Sequence, residues 1–83
     1  MRLRDAAKVI RSKNAGPTEI TVDVIDVRGR LVGRIGPVAR PAGPSTIAWD
    51  GTGFGSRELA AGTYVLRVRA DGRAWTAKAA LVR

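Results

Sequence analysis

The sequence predicts an all-β fold, a small sandwich of antiparallel strands with a short helix or strand at its N-terminus. Three observations carry this. Apolar residues alternate at period two from Thr18 onward, as in half-buried strands. Glycine, proline and an Asp-Gly pair punctuate the chain at short intervals, where turns join strands. Helical periodicity is weak after residue 17.

The elements follow in order. Residues 4–12 form either one short helix, with Leu3, Ala6, Ala7 and Ile10 on one side, or a short strand holding Val9 and Ile10. Asn14-Ala15-Gly16-Pro17 is a turn by composition. Ile20, Val22 and Val24 alternate with Thr21 and Asp23, so Asp23 is read as an outward residue. Val27-Arg28-Gly29-Arg30 supplies a turn, with a glycine where positive φ costs little. Leu31 to Ile35 reads as the returning strand. Residues 36–44 hold three of the four prolines and read as a loop crossing between sheets, because proline has no N–H for a ladder. Ser45 to Trp49 is the next strand, with Ile47 and Trp49 on one face.

The last two strands allow a test of consistency. Asp71-Gly72 is a two-residue hairpin signal. Pairing 70 with 73 puts 68 opposite 75 and 66 opposite 77. Trp75, Ala77 and Leu81 then share a face with Val68, Leu66 and Tyr64. Arg67, Arg69, Thr76 and Lys78 share the other. The expected core is Ile20, Val22, Val24, Trp49, Tyr64, Leu66, Val68 and Trp75. Residues 1–17 are assigned as an N-terminal segment and turn, and 18–83 as the sandwich, within a single domain.

Composition narrows the chemistry. The chain has 83 residues, no Cys and no His. Thiol chemistry, disulfides and every His-activated nucleophile are therefore excluded. Ser45, Ser56 and Thr63 have no base to activate them. The acids Asp23, Asp26, Asp50, Glu58 and Asp71 form no pair that the pattern places in acid–base range. Fifteen Lys and Arg oppose seven Asp and Glu, for a net charge of +8. That excess favours anionic partners. No basic run is long and only four aromatics are present, so nucleic acid is not the expected partner.

The stretch WDGTGFGSRELAAGTY, from Trp49 to Tyr64, presents the central choice. A phosphate cradle needs backbone N–H groups converging at a helix N-terminus. Here a strand pattern follows the glycines, and neither a Gly-Lys-Ser/Thr nor a dinucleotide spacing occurs. The expectation is a structural corner. Asp50 closes an Asx-turn, Gly51 and Gly62 take unusual φ values, Trp49 and Tyr64 pack at the two ends, and the Tyr64 hydroxyl bonds a nearby backbone group. Arg67, Arg69 and Lys78 form a second candidate site, a face for an anionic partner. No cofactor and no metal are expected.

Asp26-Val27-Arg28-Gly29-Arg30-Leu31-Val32, Ala42-Gly43, Trp49-Asp50-Gly51, Ala61-Gly62-Thr63-Tyr64 and an Arg/Lys-bearing last strand occur in this order and spacing. From about Val24 to Arg83 the chain thereby resembles the immunoglobulin-like domain of flagellar hook-capping proteins. It also resembles related C-terminal sorting domains of secreted bacterial proteins. The resemblance implies an immunoglobulin-like sandwich that serves assembly or export, without catalytic residues. Relatives usually carry acids in the loop after Trp-Asp-Gly. Gly53, Phe54 and Ser56 stand there instead, so calcium is not expected.

Arg2-Leu3-Arg4-Asp5, Val9-Ile10-Arg11-Ser12-Lys13-Asn14-Ala15-Gly16-Pro17 and Glu19-Ile20-Thr21-Val22-Asp23-Val24 resemble the opening of a small uncharacterised domain found beside acyclic-terpene-utilisation (AtuA-like) proteins. That likeness implies an accessory subunit of an enzyme system as the alternative function, and the charge implies a non-specific binder of anionic surfaces or nucleic acid as another. The expected partner is a protein neighbour. The expected location is extracellular or at the cell surface as part of a longer chain, because the N-terminus does not read as a secretory signal. A chain complete as given would be expected in the cytoplasm. No apolar run is long enough to span a bilayer.

Overall fold

Alternation of inward and outward side chains, visible in the sequence from Thr18, organises most strands of the structure. The computed structural model describes residues 8–82. Among these residues six strands form: β1 (Lys8–Asn14), β2 (Thr18–Ile25), β3 (Leu31–Arg40), β4 (Gly43–Trp49), β5 (Gly62–Ala70) and β6 (Arg73–Leu81). A single 3₁₀ turn, Phe54–Ser56, interrupts the loop between β4 and β5. β1 pairs with β4 in a two-stranded sheet, and the order β3-β2-β5-β6 makes a four-stranded one. All pairings are antiparallel.

The inward rows meet as a core. Ile10, Ile47 and Trp49 of the smaller sheet are buried together with Ile20, Val22, Val24, Tyr64, Leu66, Val68, Ala70, Ala79 and Leu81 of the larger. Trp75 does not join them fully. It is half-buried at the hairpin end of the edge strand β6, packed against the core, with the Arg73 guanidinium 5.2 Å above its ring.

β1 resolves the choice left open between helix and strand. Residues 8–14 are strand, with Ile10, Ser12 and Asn14 buried and their neighbours turned out. The helical reading at residues 8–12 is therefore corrected. Its earlier part, with Leu3, Ala6 and Ala7, lies outside the described residues. The strand tolerates two buried polar residues because they satisfy each other. The Ser12 hydroxyl donates to Asn14 Oδ1 at 2.6 Å, and Asn14 Nδ2 donates to the Pro41 carbonyl and to Ser45 Oγ.

The proline-rich stretch is a second correction. Residues 36–40 belong to β3, Gly43 and Pro44 open β4, and of this stretch only Pro41 and Ala42 link β3 to β4. The reason is position. β3 and β4 are both sheet edges, where a missing N–H can face away from the ladder. Moreover, Ile20 pairs with Val38 and Val22 with Ile35. Two residues of β3, Gly36 and the cis-linked Pro37, thus oppose one residue of β2. That is a β-bulge, the place where a strand accommodates proline.

The final hairpin has the register that its turn demands. Ala70 pairs with Arg73, Val68 with Trp75 and Leu66 with Ala77. Asp71 (φ 56°) and Gly72 (φ 71°) both take positive φ, the two-residue turn whose twist matches flanking strands. This turn also clasps the opposite end of the chain. Ala15 N–H donates to Asp71 Oδ2 at 2.8 Å, and Asp71 N–H donates to the Thr18 hydroxyl at 2.9 Å.

Candidate functional site

The Trp49–Tyr64 region is built from the end of β4, the start of β5 and the loop between them. Trp49 is 1% exposed. Its indole Nε1 donates to the Thr52 carbonyl at 2.8 Å, so the one polar atom of the ring is satisfied by the loop. The Tyr64 ring stands edge-on to it, with centroids 5.5 Å apart and planes at 66°. Tyr64 Oη donates to the Ala60 carbonyl at 2.6 Å. Asp50 Oδ1 accepts from the Thr52 N–H at 3.1 Å and from the Thr52 hydroxyl at 2.7 Å, an Asx-turn. Gly51 takes φ 88° and Gly62 φ 154°.

The glycines have separate physical causes. Gly51 supplies a left-handed residue directly after the Asx-turn acid. Gly53 supplies close approach. A Cβ there would run into the Val32 carbonyl, and a Cβ on Gly33 would lie 2.8 Å from Gly53 Cα. Loop and β3 thus meet backbone to backbone through two glycines. The loop's own amides close it further. Gly53 N–H bonds the Arg57 carbonyl at 2.8 Å, and Leu59 N–H bonds the Gly51 carbonyl at 3.2 Å. These N–H groups point into the loop and not toward a shared ligand position.

A Tyr64→Phe variant isolates the corner bond. It should fold and lose about 1 kcal/mol, read as a lower urea midpoint at unchanged slope.

The second candidate, Arg67, Arg69 and Lys78, lies on the outer face of the larger sheet. Its centre is a residue the sequence reading left as merely outward. Asp23 does face outward on β2, yet it is fully buried, because three arginines cover it. Arg34 Nε of β3 lies 2.8 Å from Asp23 Oδ1, and Arg67 Nη2 of β5 lies 2.7 Å from Oδ2. Arg69 Nη2 of β5 lies 3.2 Å from Oδ2. The register explains the convergence. Asp23 pairs directly with Arg34 on one side and with Arg67 on the other. Arg69 stands diagonal to it, opposite Thr21. Lys78 pairs with Val65 and stays on the rim, exposed. The three cations that would repel on an open face are held by one carboxylate. Arg34 and Asp23 were missed as site residues because their meeting depends on the β2–β3 register, which no two-residue turn sets. The one available signal was an isolated acid in mid-strand, flanked by arginine-bearing strands.

Burial alone would raise the Asp23 carboxyl. Hydrogen bonds from Arg34 and Arg67, with the charges of Arg69 and Arg34, outweigh it, and its pKa lies below the ordinary carboxylate value. Asp26 is lowered too, first by the Arg30 backbone N–H and then, against some burial, by the Arg30 side chain and the Arg28 N–H. Both folded-state values are depressed, so the unfolded chain binds more protons in the acid range. Stability should be flat above about pH 5 and fall as pH drops below about 4 toward the folded-state values. Urea unfolding over a pH series measures this, and Asp23→Asn should make the acid slope shallower.

Two sheets closed over a Trp–Tyr corner, with crossing connections between them, define an immunoglobulin-like β-sandwich domain. The model of one family, the FlgD Ig-like domain, matches residues 5–73. The chain belongs to that family, whose members are structural domains of the flagellar hook-capping type. The match takes in β1 and most of residues 2–24. Neither a search of curated proteins nor one of solved structures found a match. No helix among the described residues is long and apolar enough to cross a membrane.

Proposed function

We propose that this domain is a non-catalytic structural module that seats a protein neighbour in an assembly or export system of a bacterial extracellular protein. The observation that carries this reading is where the reactive-looking groups are spent. Asp23 accepts from arginines and Asp26 from the turn amides of Arg28 and Arg30. Asp50 closes the corner and Asp71 ties the hairpin to Ala15. Each of these four carboxylates serves the fold, and the glycine loop closes on itself, so Trp49, Asp50, Gly51, Gly62 and Tyr64 act as a rigid corner. Family membership supports the same reading. Family membership favours a location outside the cell or on its surface.

The test is deletion of the domain from its parent chain. Loss of the parent's incorporation into an external assembly, or loss of its export, supports the proposal. Normal assembly and export without the domain refute it. Protease accessibility on intact cells separately tests the location.

A further inference from the structure

We infer that the outer face of the four-stranded sheet docks an extended acidic segment of a neighbouring protein, through Arg34, Arg67 and Arg69 with Lys78 at the rim. This rests on the reading of the domain as an assembly module and supplies the chemistry of its partner.

Four observations carry it. The first is charge. Three guanidiniums share one carboxylate, which leaves the cluster strongly cationic within a chain of net charge +8. The arginine side chains remain 43%, 48% and 51% exposed while Asp23 is fully covered. Each guanidinium also carries more N–H donors than it gives to Asp23. The second is preorganisation. Asp23 holds three long side chains in place, so binding costs less side-chain entropy than on an open basic face.

The third is spacing. Arg67 and Arg69 are alternate residues of β5, about 6.5–7 Å apart along the strand. Carboxylates at alternate positions of an extended chain repeat at the same distance, and each suits a guanidinium fork. The fourth is the adjoining row. Leu31, Ile25 and Val65 are paired across three strands beside the arginines. Leu31 is 41% exposed, and Ile25 and Val65 are half-buried. An apolar row flanked by arginines fits a protein interface, where arginine anchors are enriched. A nucleic acid would want aromatic platforms, and the outward positions of β2, β5 and β6 hold none. Glu19 shares this face of β2 but sits toward its far end, opposite Ala39.

The experiment titrates the folded domain with two synthetic peptides of equal composition, one alternating Glu and Thr and one with its Glu in a block. A thymidine oligonucleotide of equal charge serves as the third probe. Calorimetry gives affinity and amide chemical shifts give the site. The alternating peptide should bind about tenfold more tightly than the block isomer and the oligonucleotide. Binding should weaken with salt, and shifts should centre on β2, β3 and β5. Arg69→Ala, which removes the longest of the three contacts, should lower affinity about tenfold. Lys78→Ala, which leaves Asp23 untouched, should lower it about twofold. The wild-type shift map stands even if Arg69→Ala fails to fold.

Equal affinity for both peptides, equal or tighter binding of the oligonucleotide, shifts centred elsewhere, or no binding at millimolar peptide would each overturn the inference. The two proposals fail separately. Absent peptide binding with a deletion that still blocks assembly rejects only the acidic partner. Retained peptide binding with a harmless deletion rejects the assembly role.

Discussion

Trp49→Ala is expected to remove a large share of the domain's stability. The side chain is the largest among those fully buried. It terminates β4 and lies over the larger sheet, against Tyr64. Truncating a buried tryptophan costs about 3–5 kcal/mol, the spread reflecting how far the site collapses. Collapse is hindered here, because the loop above the ring is pinned to β3 through Gly33 and Gly53. The Thr52 carbonyl also loses its indole donor. A domain of this length has about 4–12 kcal/mol in total. Small domains, which bury less of their surface, sit toward the lower end. Circular dichroism should show a thermal midpoint lowered by 15 °C or more, since about 1 kcal/mol moves it by roughly 4–8 °C at this size. Trp49→Phe keeps most of the apolar volume and should fall between. Equal midpoints for Trp49→Ala and the parent would refute the corner.

Asp23→Ala is expected to have the second-largest effect. Removing one partner of a buried ion cluster typically costs about 3–5 kcal/mol. The arginines here are about half exposed, so they can turn toward water and solvent screens their repulsion. The expected loss is therefore nearer 2 kcal/mol. Two features would mark the mechanism. Added salt should recover part of the loss in Asp23→Ala. The double variant Asp23→Ala/Arg67→Ala should cost less than the two single changes summed, with a coupling of about 0.5–3 kcal/mol. Arg67→Ala alone should fold, since Arg34 and Arg69 still pair the carboxylate, at a cost of about 1 kcal/mol. Strict additivity and no salt response would mean that Asp23 acts by packing alone.

The same two residues show how much of the molecule was legible in its sequence. Trp49 announced itself. An alternating strand ended in an indole, an Asx-turn acid and a glycine followed, and a tyrosine opened the next strand. Each of those signals is local, and the corner forms within one connection. The Asp71-Gly72 hairpin was legible for the same reason: a two-residue turn with positive φ at both positions allows only one register, and period-two alternation then assigns every face.

Asp23 gave no such notice. Its burial depends on arginines brought from β3 and β5, and the β2–β5 pairing joins residues forty or more positions apart. Local chemistry states which face a residue takes but not which strand lies beside it. The prolines of β3 and β4 tell the same story, because proline is barred from a central strand and not from an edge, and only the assembled sheets say which strands are edges. β1 became a strand by pairing with β4, where Ser12 and Asn14 found partners that no helix–strand preference in residues 8–14 could foretell. Sequence by itself determined the all-β class, the turns and the inward rows, because these follow from backbone geometry over a few residues. Tertiary structure decided the neighbours, and with them turned an unremarkable outward acid into the fixed centre of a basic face.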